Sequence, residues 1–203
     1  MIPAQDALQR LRDGNARFAQ DRSQGGLADP DRRAALARSQ HPIAIVLGCS
    51  DSRVPAELVF DQPLGDLFVI RVAGNVVGPS QIDSVEFAAA QFGCRLAVVL
   101  GHSRCGAVSA TLAEIQGPAT GGYSAIVSRV RPALEPLLAD GAGQDAEALL
   151  AAAVRTHVQA STTALRQGSS GIERLIAAGN LTVVGAEYSL DTGLVDFLDG
   201  CPE

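Results

Sequence analysis

Five residues whose side chains can do chemistry occur in two short clusters of the sequence. Cys49, Asp51 and Arg53 follow one run of apolar residues, and His102 and Cys105 follow another. Thiolate, imidazole and carboxylate groups together form a borderline-soft ligand set that favours zinc. Three protein ligands leave the fourth coordination position of zinc open to water, which is the arrangement of catalytic zinc sites. The pattern therefore predicts a zinc site with Cys49, His102 and Cys105 as its ligands.

Two other interpretations of the cysteines stay open at this point: a structural zinc site closed by a fourth ligand, and buried thiols without a metal. Neither gives a role to Asp51 and Arg53. Because these residues are two apart, their side chains project to one side of an extended segment. There a carboxylate and a guanidinium can form a bidentate ion pair. A surface salt bridge beside a turn is the alternative for this pair.

The two apolar runs, 43–48 and 95–101, predict strands that are buried on both faces. Strands alternate with helical segments along the chain, which predicts an α/β fold with a parallel sheet and right-handed crossovers. In open α/β sheets, ligand sites lie beyond the carboxyl ends of the strands. The two clusters of polar residues should therefore meet at one edge of the sheet.

The rest of the chain is assigned from apolar periodicity and turn residues. Further strands are predicted over 67–71, 181–186 and 194–198, and helices over 4–20, 29–39, 79–92 and 105–116, with a loop over 117–122. Residues 123–178 are predicted to form helices broken at Pro132, Pro136, 141–143 and Gly168. Gly74 lies in a tight turn that is expected to need a positive φ. The expected organisation is one domain over 1–203, with a helical dimerisation arm over 1–40 and an α/β core over 41–203.

Composition excludes several classes of function. The net charge is −6, so the chain has no basic stripe with which to neutralise nucleic-acid phosphates. All 16 basic residues are arginine, and without lysine neither Schiff-base chemistry nor a P-loop is possible. No signal peptide or membrane-spanning run is evident, so a cytoplasmic protein without a membrane partner is predicted. The four cysteines then indicate reduced thiols and metal binding rather than disulfides.

The sequence Cys-Ser-Asp-Ser-Arg at 49–53, followed by His-x-x-Cys-Gly at 102–106, resembles the β-class carbonic anhydrases. The segments DQPLGDLFVIRVAGNVV and VVLGHSRCGAV resemble the actinobacterial and cyanobacterial members. The likeness covers about 40–117 and returns around 185–198. It implies zinc-dependent, reversible hydration of carbon dioxide to bicarbonate and a proton, with one zinc per chain. It also implies a strand order of 2-1-3-4 with an antiparallel fifth strand, and a homodimer or tetramer.

In the family that this sequence resembles, the aspartate and arginine that match Asp51 and Arg53 orient the nucleophile. In some members the same aspartate moves onto the zinc as a fourth ligand and closes the site. Members with such a closed, bicarbonate-regulated site share a tryptophan three residues before the first cysteine, where this chain has Val46. The resemblance therefore implies that Asp51 pairs with Arg53 and leaves the zinc open, with Asp51 as a ligand only in a closed state.

The same resemblance implies five residues that contact substrate. Gln40 matches a glutamine that hydrogen-bonds bound substrate, although it could equally be a polar residue that ends a helix. Phe68, Ala73, Phe87 and Gly106 match positions that line a small apolar pocket, part of which lies across a dimer interface. Phe87 departs from the tyrosine common in plant members. For the two phenylalanines alone, core packing would be the ordinary interpretation.

The remaining cysteines and histidines have no partner motif. Cys94 is expected to be an inert core thiol and Cys201 to be exposed, while His41 and His157 are expected to be structural or solvent-facing. A proton-accepting role for His157 is the minor alternative. Two rival functions also stay open: a carbonyl sulfide or carbon disulfide hydrolase on the same fold, and a non-catalytic zinc protein.

Overall fold

A computed structural model of the chain describes residues 2–24, 29–117, 122–140 and 145–202, with only the backbone described at 139 and 140. Its centre is a five-stranded sheet with the strand order β2-β1-β3-β4-β5. The strands are β1 (Ala44–Gly48), β2 (Leu67–Arg71), β3 (Leu96–His102), β4 (Thr182–Tyr188) and β5 (Val195–Asp199). All neighbouring pairs are parallel except β4 and β5, which are antiparallel. The predicted fold class and strand order are confirmed.

Eight helices and one 3₁₀ turn lie before and between the strands in the described part of the chain. They are α1 (Ala4–Ala19), α2 (Pro30–Leu36), α3 (Ala56–Val59), the turn Ala73–Asn75, α4 (Pro79–Phe92), α5 (Gly106–Gln116), α6 (Ser124–Asp140), α7 (Ala146–Arg166) and α8 (Ser170–Ala177). Every described helix falls short of the length or the hydropathy that a bilayer-spanning segment needs.

Helices cover both faces of the sheet because both faces of its central strands are apolar. In β1, Val46 packs on the face that α1 covers through Leu8 and Leu11. Its neighbour Leu47 points to the opposite face, which α4 and α8 cover. Strands buried on both faces read as continuous apolar runs, and this is why the strands could be recognised in the sequence.

A third apolar cluster lies beyond the carboxyl edge of the sheet, between α5, α6 and α7. Val108, Val130, Leu134 and Val154 form its centre. Cys49 and Cys105 belong to the same cluster, so the two thiols sit in an apolar environment.

The predicted helix breaks at Pro132 and Pro136 are wrong, because α6 continues through both residues. The two prolines are four residues apart, so they share one face of the helix, and that face is exposed. There water can satisfy the carbonyl groups that each proline leaves without a donor. The opposite face buries Val130 and Leu134, and this packing holds the helix together. The break at Gly168 is confirmed, while 118–121 and 141–144 lie outside the described residues.

The two N-terminal helices differ in how they pack. α1 lies on the chain's own core, with Leu11 fully buried. In α2, by contrast, none of the residues 30–36 is buried. Asp29 caps α2 by accepting a hydrogen bond from the Arg32 amide at 2.8 Å, and the Arg32 side chain pairs with Asp66. Of the two helices in the predicted arm, only α2 therefore lacks a buried residue.

Candidate metal centre

The end of β1 delivers Cys49, and the neighbouring strand β2 holds it in place. β1 and β2 are in register so that Gly48 lies opposite Arg71, the last residue of β2. The Arg71 guanidinium donates one hydrogen bond to the Cys49 carbonyl at 3.0 Å and another to the Asp51 carbonyl at 2.6 Å. Because Arg71 binds the backbone on both sides of Ser50, it fixes the segment that carries the first thiol and the carboxylate.

The end of β3 delivers His102 in a defined tautomer. The Nδ1 atom of its ring lies 3.0 Å from the Ser103 carbonyl, which can only accept a hydrogen bond. Nδ1 must therefore carry the proton, and the lone pair is on Nε2. The Ser103 hydroxyl in turn accepts a hydrogen bond from the Leu190 amide at 2.9 Å, which ties this loop to the segment after β4.

The ligand atoms of Cys49, His102 and Cys105 lie within 4.8 Å of one another. Their residues are 4%, 0% and 1% exposed, respectively. His102 Nε2 is buried and has no hydrogen-bond partner among the described residues. A buried nitrogen left without a partner is costly, and a cation that accepts its lone pair would remove that cost. Two thiols and this imidazole nitrogen are the donors that zinc prefers, so the residues fit the metal.

The protonation of the two thiols is consistent with this fit. The Cys105 thiol donates to Cys49 and lowers the pKa of Cys49 to about 4, against the opposing effect of burial. That same bond, together with burial, raises the pKa of Cys105. The amides of Gly74 and Asp51 also donate to Cys49 Sγ, at 3.2 and 3.4 Å. One thiol is therefore ionised, and a divalent cation would displace the proton that remains on the other.

Asp51 and Arg53 form a bidentate ion pair. Arg53 Nε donates to Asp51 Oδ1 at 2.9 Å, and Arg53 Nη2 donates to Asp51 Oδ2 at 2.7 Å. These hydrogen bonds hold the pKa of the Asp51 carboxyl well below its usual range. Asp51 Oδ2 also lies 3.9 Å from His102 Nε2. A permanently ionised carboxylate therefore borders the three clustered donors.

An apolar cavity of about 320 Å³ lies beside the donors, between the 73–75 turn, α5 and the start of α6. Its lining consists of small and apolar side chains: Ala73, Gly106, Ala107, Ala110, Tyr123, Ile126 and Val127. Because Gly106 directly follows Cys105, the cavity wall begins next to the second thiol. Two of the five residues predicted to contact substrate, Ala73 and Gly106, are part of this wall.

Comparison with known proteins now decides the family. The carbonic anhydrase family profile matches residues 44–195. Carbonic anhydrase 2 of Mycobacterium tuberculosis H37Rv is 42% identical over 92% of this chain and 89% of its own length. The carbonic anhydrase of Mycolicibacterium smegmatis is 41% identical over 94% of this chain and 91% of its own length. The solved β-carbonic anhydrase of Coccomyxa, in complex with acetazolamide, superposes with a TM-score of 0.75 at 28% identity, covering 94% and 86% of the two chains.

The chain belongs to the β-class carbonic anhydrases. Membership of this family makes it an enzyme, a carbonate dehydratase. The family profile covers the whole sheet up to the first residue of β5, and with it all three clustered donors. The chain is therefore described as an enzyme rather than as a purely structural zinc protein.

Three residues of the predicted pocket are not brought to the donors within this carbonic anhydrase chain. Gln40 lies in a separate groove with Leu36 and Phe92. Phe68 and Phe87 pack with Phe92 in an aromatic cluster, with ring centroids 5.7 to 6.4 Å apart. Phe87 remains 52% exposed. A substrate contact by these residues therefore stays a prediction that requires a second subunit.

Arg71 was not predicted to belong to the site, and His157 was expected to be structural or solvent-facing. Arg71 ends a strand that is in register with β1, so the strand-end rule that found Cys49 could have found it as well. His157 is buried on α7, and its Nε2 lies 2.7 Å from the carbonyl oxygen of Gly74. Gly74 has a φ of 69°, as predicted, and a Cβ there would lie 2.9 Å from Ala107 Cβ.

The other cysteines lie outside the cluster of donors. All four cysteines of this carbonic anhydrase are free thiols. Cys94 is buried, and burial raises its pKa to about 11, which makes it unreactive. Cys201 is half-buried, with its sulfur 3.5 Å from a nitrogen of Arg12. His41 is exposed.

Proposed function

We propose that this chain catalyses the reversible hydration of carbon dioxide to bicarbonate and a proton, with one zinc ion held by Cys49, His102 and Cys105. The observation that carries the proposal is the closeness of these three buried donors, within 4.8 Å of one another. Gly106, which directly follows the donor Cys105, lines an apolar cavity. A bound zinc supplies a Lewis acid that lowers the pKa of water and so provides a nucleophile near neutral pH.

Asp51 acts as the hydrogen-bond acceptor that orients the nucleophilic oxygen. The carboxylate stays ionised because Arg53 occupies both of its oxygens, and a side chain with no proton of its own can only accept. A hydrogen accepted by Asp51 leaves the lone pairs of the nucleophile free to face the carbon of the substrate. Arg53 fixes the Asp51 carboxylate by pairing with it, and Arg71 fixes the Asp51 backbone by donating a hydrogen bond to its carbonyl.

The cavity provides a place for the uncharged substrate. Carbon dioxide has no net charge or dipole, and a wall that includes Ala73, Ala107 and Ile126 binds it without competing polar groups. Bicarbonate carries a charge that this wall cannot pair, which favours its release. Gln40, Phe68 and Phe87 are proposed to complete the pocket from a neighbouring subunit.

We further propose a homodimer or tetramer in the cytoplasm. Exposed apolar side chains support the assembly, since Leu58, Leu64 and Phe87 are 51%, 41% and 52% exposed. The unburied helix α2 lies on the same side of the chain, because Leu36 borders a groove with Leu64 and Leu67. Four free thiols, two of them metal-ligand candidates, suit a reducing compartment.

The decisive experiment is stopped-flow hydration of carbon dioxide, with zinc measured on the same preparation. We expect one zinc per chain, activity that is lost with a chelator and restored by zinc, and X-ray absorption showing two sulfur ligands and one nitrogen ligand. Cys105→Ser should lose both zinc and activity, whereas the matched control Cys201→Ser should keep both. Four sulfur ligands, or full activity in zinc-free protein, would contradict the proposal.

The same preparation separates the rival substrates. Carbonyl sulfide and carbon disulfide are assayed beside carbon dioxide at equal enzyme concentration. Turnover of a sulfur compound that exceeds turnover of carbon dioxide would assign the chain to the hydrolase alternative instead.

A further inference from the structure

A buried histidine of α7 contacts the 73–75 turn. His157 is 2% exposed, and its Nε2 lies 2.7 Å from the Gly74 carbonyl oxygen. A carbonyl oxygen only accepts, so Nε2 carries the ring proton and donates it. The hydroxyl of Ser161, one helical turn further along α7, lies 3.4 Å from the same nitrogen.

Gly74, which accepts the hydrogen bond from His157, also donates a hydrogen bond to the first thiol. The Gly74 amide donates to Cys49 Sγ at 3.2 Å. Gly74 therefore joins His157, through its carbonyl, to the Cys49 sulfur, through its amide. The preceding residue, Ala73, is part of the cavity wall.

The backbone of this turn needs support from outside. Gly74 and Asn75 have φ values of 69° and 42°, and a positive φ at a non-glycine residue such as Asn75 is unfavourable. Such conformations persist where surrounding contacts impose them. The His157 hydrogen bond reaches the turn from a helix 83 residues away in sequence.

We propose that His157 is a positioning residue of this enzyme: its hydrogen bond to the Gly74 carbonyl fixes the turn so that the Gly74 amide stays on Cys49 Sγ and Ala73 stays in the cavity wall. The inference rests on the proposed zinc function, because it gives His157 a role toward a thiolate that is a metal ligand. His157 itself is not one of the clustered donors.

The unused ring nitrogen argues for this role over simple packing. His157 Nδ1 is buried without a hydrogen-bond partner among the described residues. An apolar side chain of similar size would avoid the cost of that buried nitrogen and would serve the core better. Burial lowers the pKa of His157, so the ring stays neutral and keeps the single Nε2 proton that the bond uses.

The test compares three variants on α7. His157→Phe fills the space without a donor, and His157→Gln retains a donor at the position of Nε2. Thr162→Val is the matched control, because the Thr162 hydroxyl is buried and donates only within α7, to the Val158 carbonyl at 2.8 Å. The readouts are the Gly74 amide resonance in a ¹H–¹⁵N spectrum, the rate of zinc loss to a chelator, and turnover of carbon dioxide.

We expect His157→Phe to move the Gly74 amide resonance and to reduce zinc retention and turnover by about 10–100-fold, the usual effect of losing a hydrogen bond behind a metal ligand. His157→Gln should return all three toward wild type, and Thr162→Val should leave them unchanged. An unmoved Gly74 resonance with normal zinc retention in His157→Phe would overturn the proposal. So would a folded His157→Gln that behaves like His157→Phe.

Two measurements on wild-type protein keep the outcome clear. Long-range ¹H–¹⁵N correlation should show His157 protonated at Nε2, and protonation at Nδ1 would overturn the proposal even if no variant folds. Wild-type protein without zinc or activity would refute the proposed function instead. The Gly74 and His157 resonances of that protein would still report on the hydrogen bond.

Discussion

At the scale of the residue, the candidate site depends on groups that fix other groups. Asp51 borders the clustered donors, and its orientation is set by two hydrogen bonds from Arg53 at 2.9 and 2.7 Å. The pair is partly exposed, with side-chain exposures of 18% for Asp51 and 52% for Arg53. Its contribution to folding is therefore small, and its value lies in geometry.

Loss of this ion pair should reduce turnover without removing the metal. Asp51→Asn removes an acceptor oxygen, and Arg53→Ala frees the carboxylate to rotate. We expect each variant to keep one zinc per chain while turnover of carbon dioxide falls by about 10–100-fold. Zinc analysis and stopped-flow rates on the same samples provide the measurement.

A surface carboxylate provides the control for that prediction. Asp196 is 61% exposed and pairs with Arg155 at 2.9 Å on the surface. Asp196→Asn should therefore retain wild-type turnover. Near wild-type rates in both Asp51→Asn and Arg53→Ala would reject the role assigned to the pair.

At the scale of the element, the end of one strand braces the end of its neighbour. Arg71, at the end of β2, makes two hydrogen bonds to the backbone that follows β1. A single side chain can bridge two carbonyl groups in this way because guanidinium donors have a fixed fork geometry. The precision of the site is thus a property of strand pairing as well as of the ligands.

Arg71→Leu should loosen the segment that carries Cys49 and Asp51. We expect faster loss of zinc to a chelator and lower turnover, with little improvement in Arg71→Lys, because an ammonium group lacks the two-pronged geometry. Arg129→Leu is the control, since Arg129 is exposed and, among the described residues, its hydrogen bond stays within α6, to the Ala125 carbonyl at 2.8 Å. Equal zinc retention in the Arg71→Leu and Arg129→Leu variants would contradict the bracing role.

The contact between β3 and α7 leaves no room at Gly101. A Cβ added there would lie 2.3 Å from Val158 Cγ2. We expect Gly101→Ala to reduce the free energy of unfolding by about 1–3 kcal/mol through overpacking. Denaturant unfolding of the variant against wild type gives this value.

A double-mutant cycle tests the cause of that loss. Val158→Ala removes the group that the new methyl would meet, so the double variant should lose less than the sum of the two single variants. Gly48→Ala is the control, because a Cβ there meets nothing closer than 3.9 Å. Strict additivity in the cycle would show that Val158 is not the obstacle.

For the whole molecule, one surface of the chain leaves an aromatic side chain and a groove exposed. The aromatic cluster of Phe68, Phe87 and Phe92 leaves Phe87 half exposed, and Gln40 lies in a groove with Phe92. Phe68, Phe87 and Gln40 are predicted to contact substrate, but the single chain does not bring them to the donors. We propose that a second copy of the chain covers this surface and brings those residues to a pocket.

Sedimentation velocity should therefore show a dimer or a larger assembly. Phe87→Ser should shift the assembly toward monomer and reduce turnover, because it removes an exposed aromatic side chain from the proposed interface. Leu194→Ser is the matched control, since Leu194 is also 52% exposed but lies beside β5. A wild-type monomer with full activity would contradict the assembly.

The strands of the sheet, and the edge at which the donors lie, could be predicted from local sequence patterns. Short, continuous runs of branched apolar residues favour strands buried on both faces, and parallel strands place their carboxyl ends at one edge. Cys49 and His102 lie at the ends of such strands, so chain direction places them at the same edge. The strand order that the family resemblance implies makes the two strands neighbours. Gly74 was likewise recognised because only glycine accepts a positive φ at no steric cost.

The groups that surround those donors come from contacts between distant parts of the chain. The bonds from Arg71 to Cys49 and from His157 to Gly74 join residues 22 and 83 positions apart, and no local pattern encodes such partners. Helix α6 passes through Pro132 and Pro136 because packing of its buried face outweighs the local cost of proline. A residue's helix propensity changes the free energy of the helix by a few kcal/mol at most. Burial of several apolar side chains contributes more, so it decides whether the helix forms here.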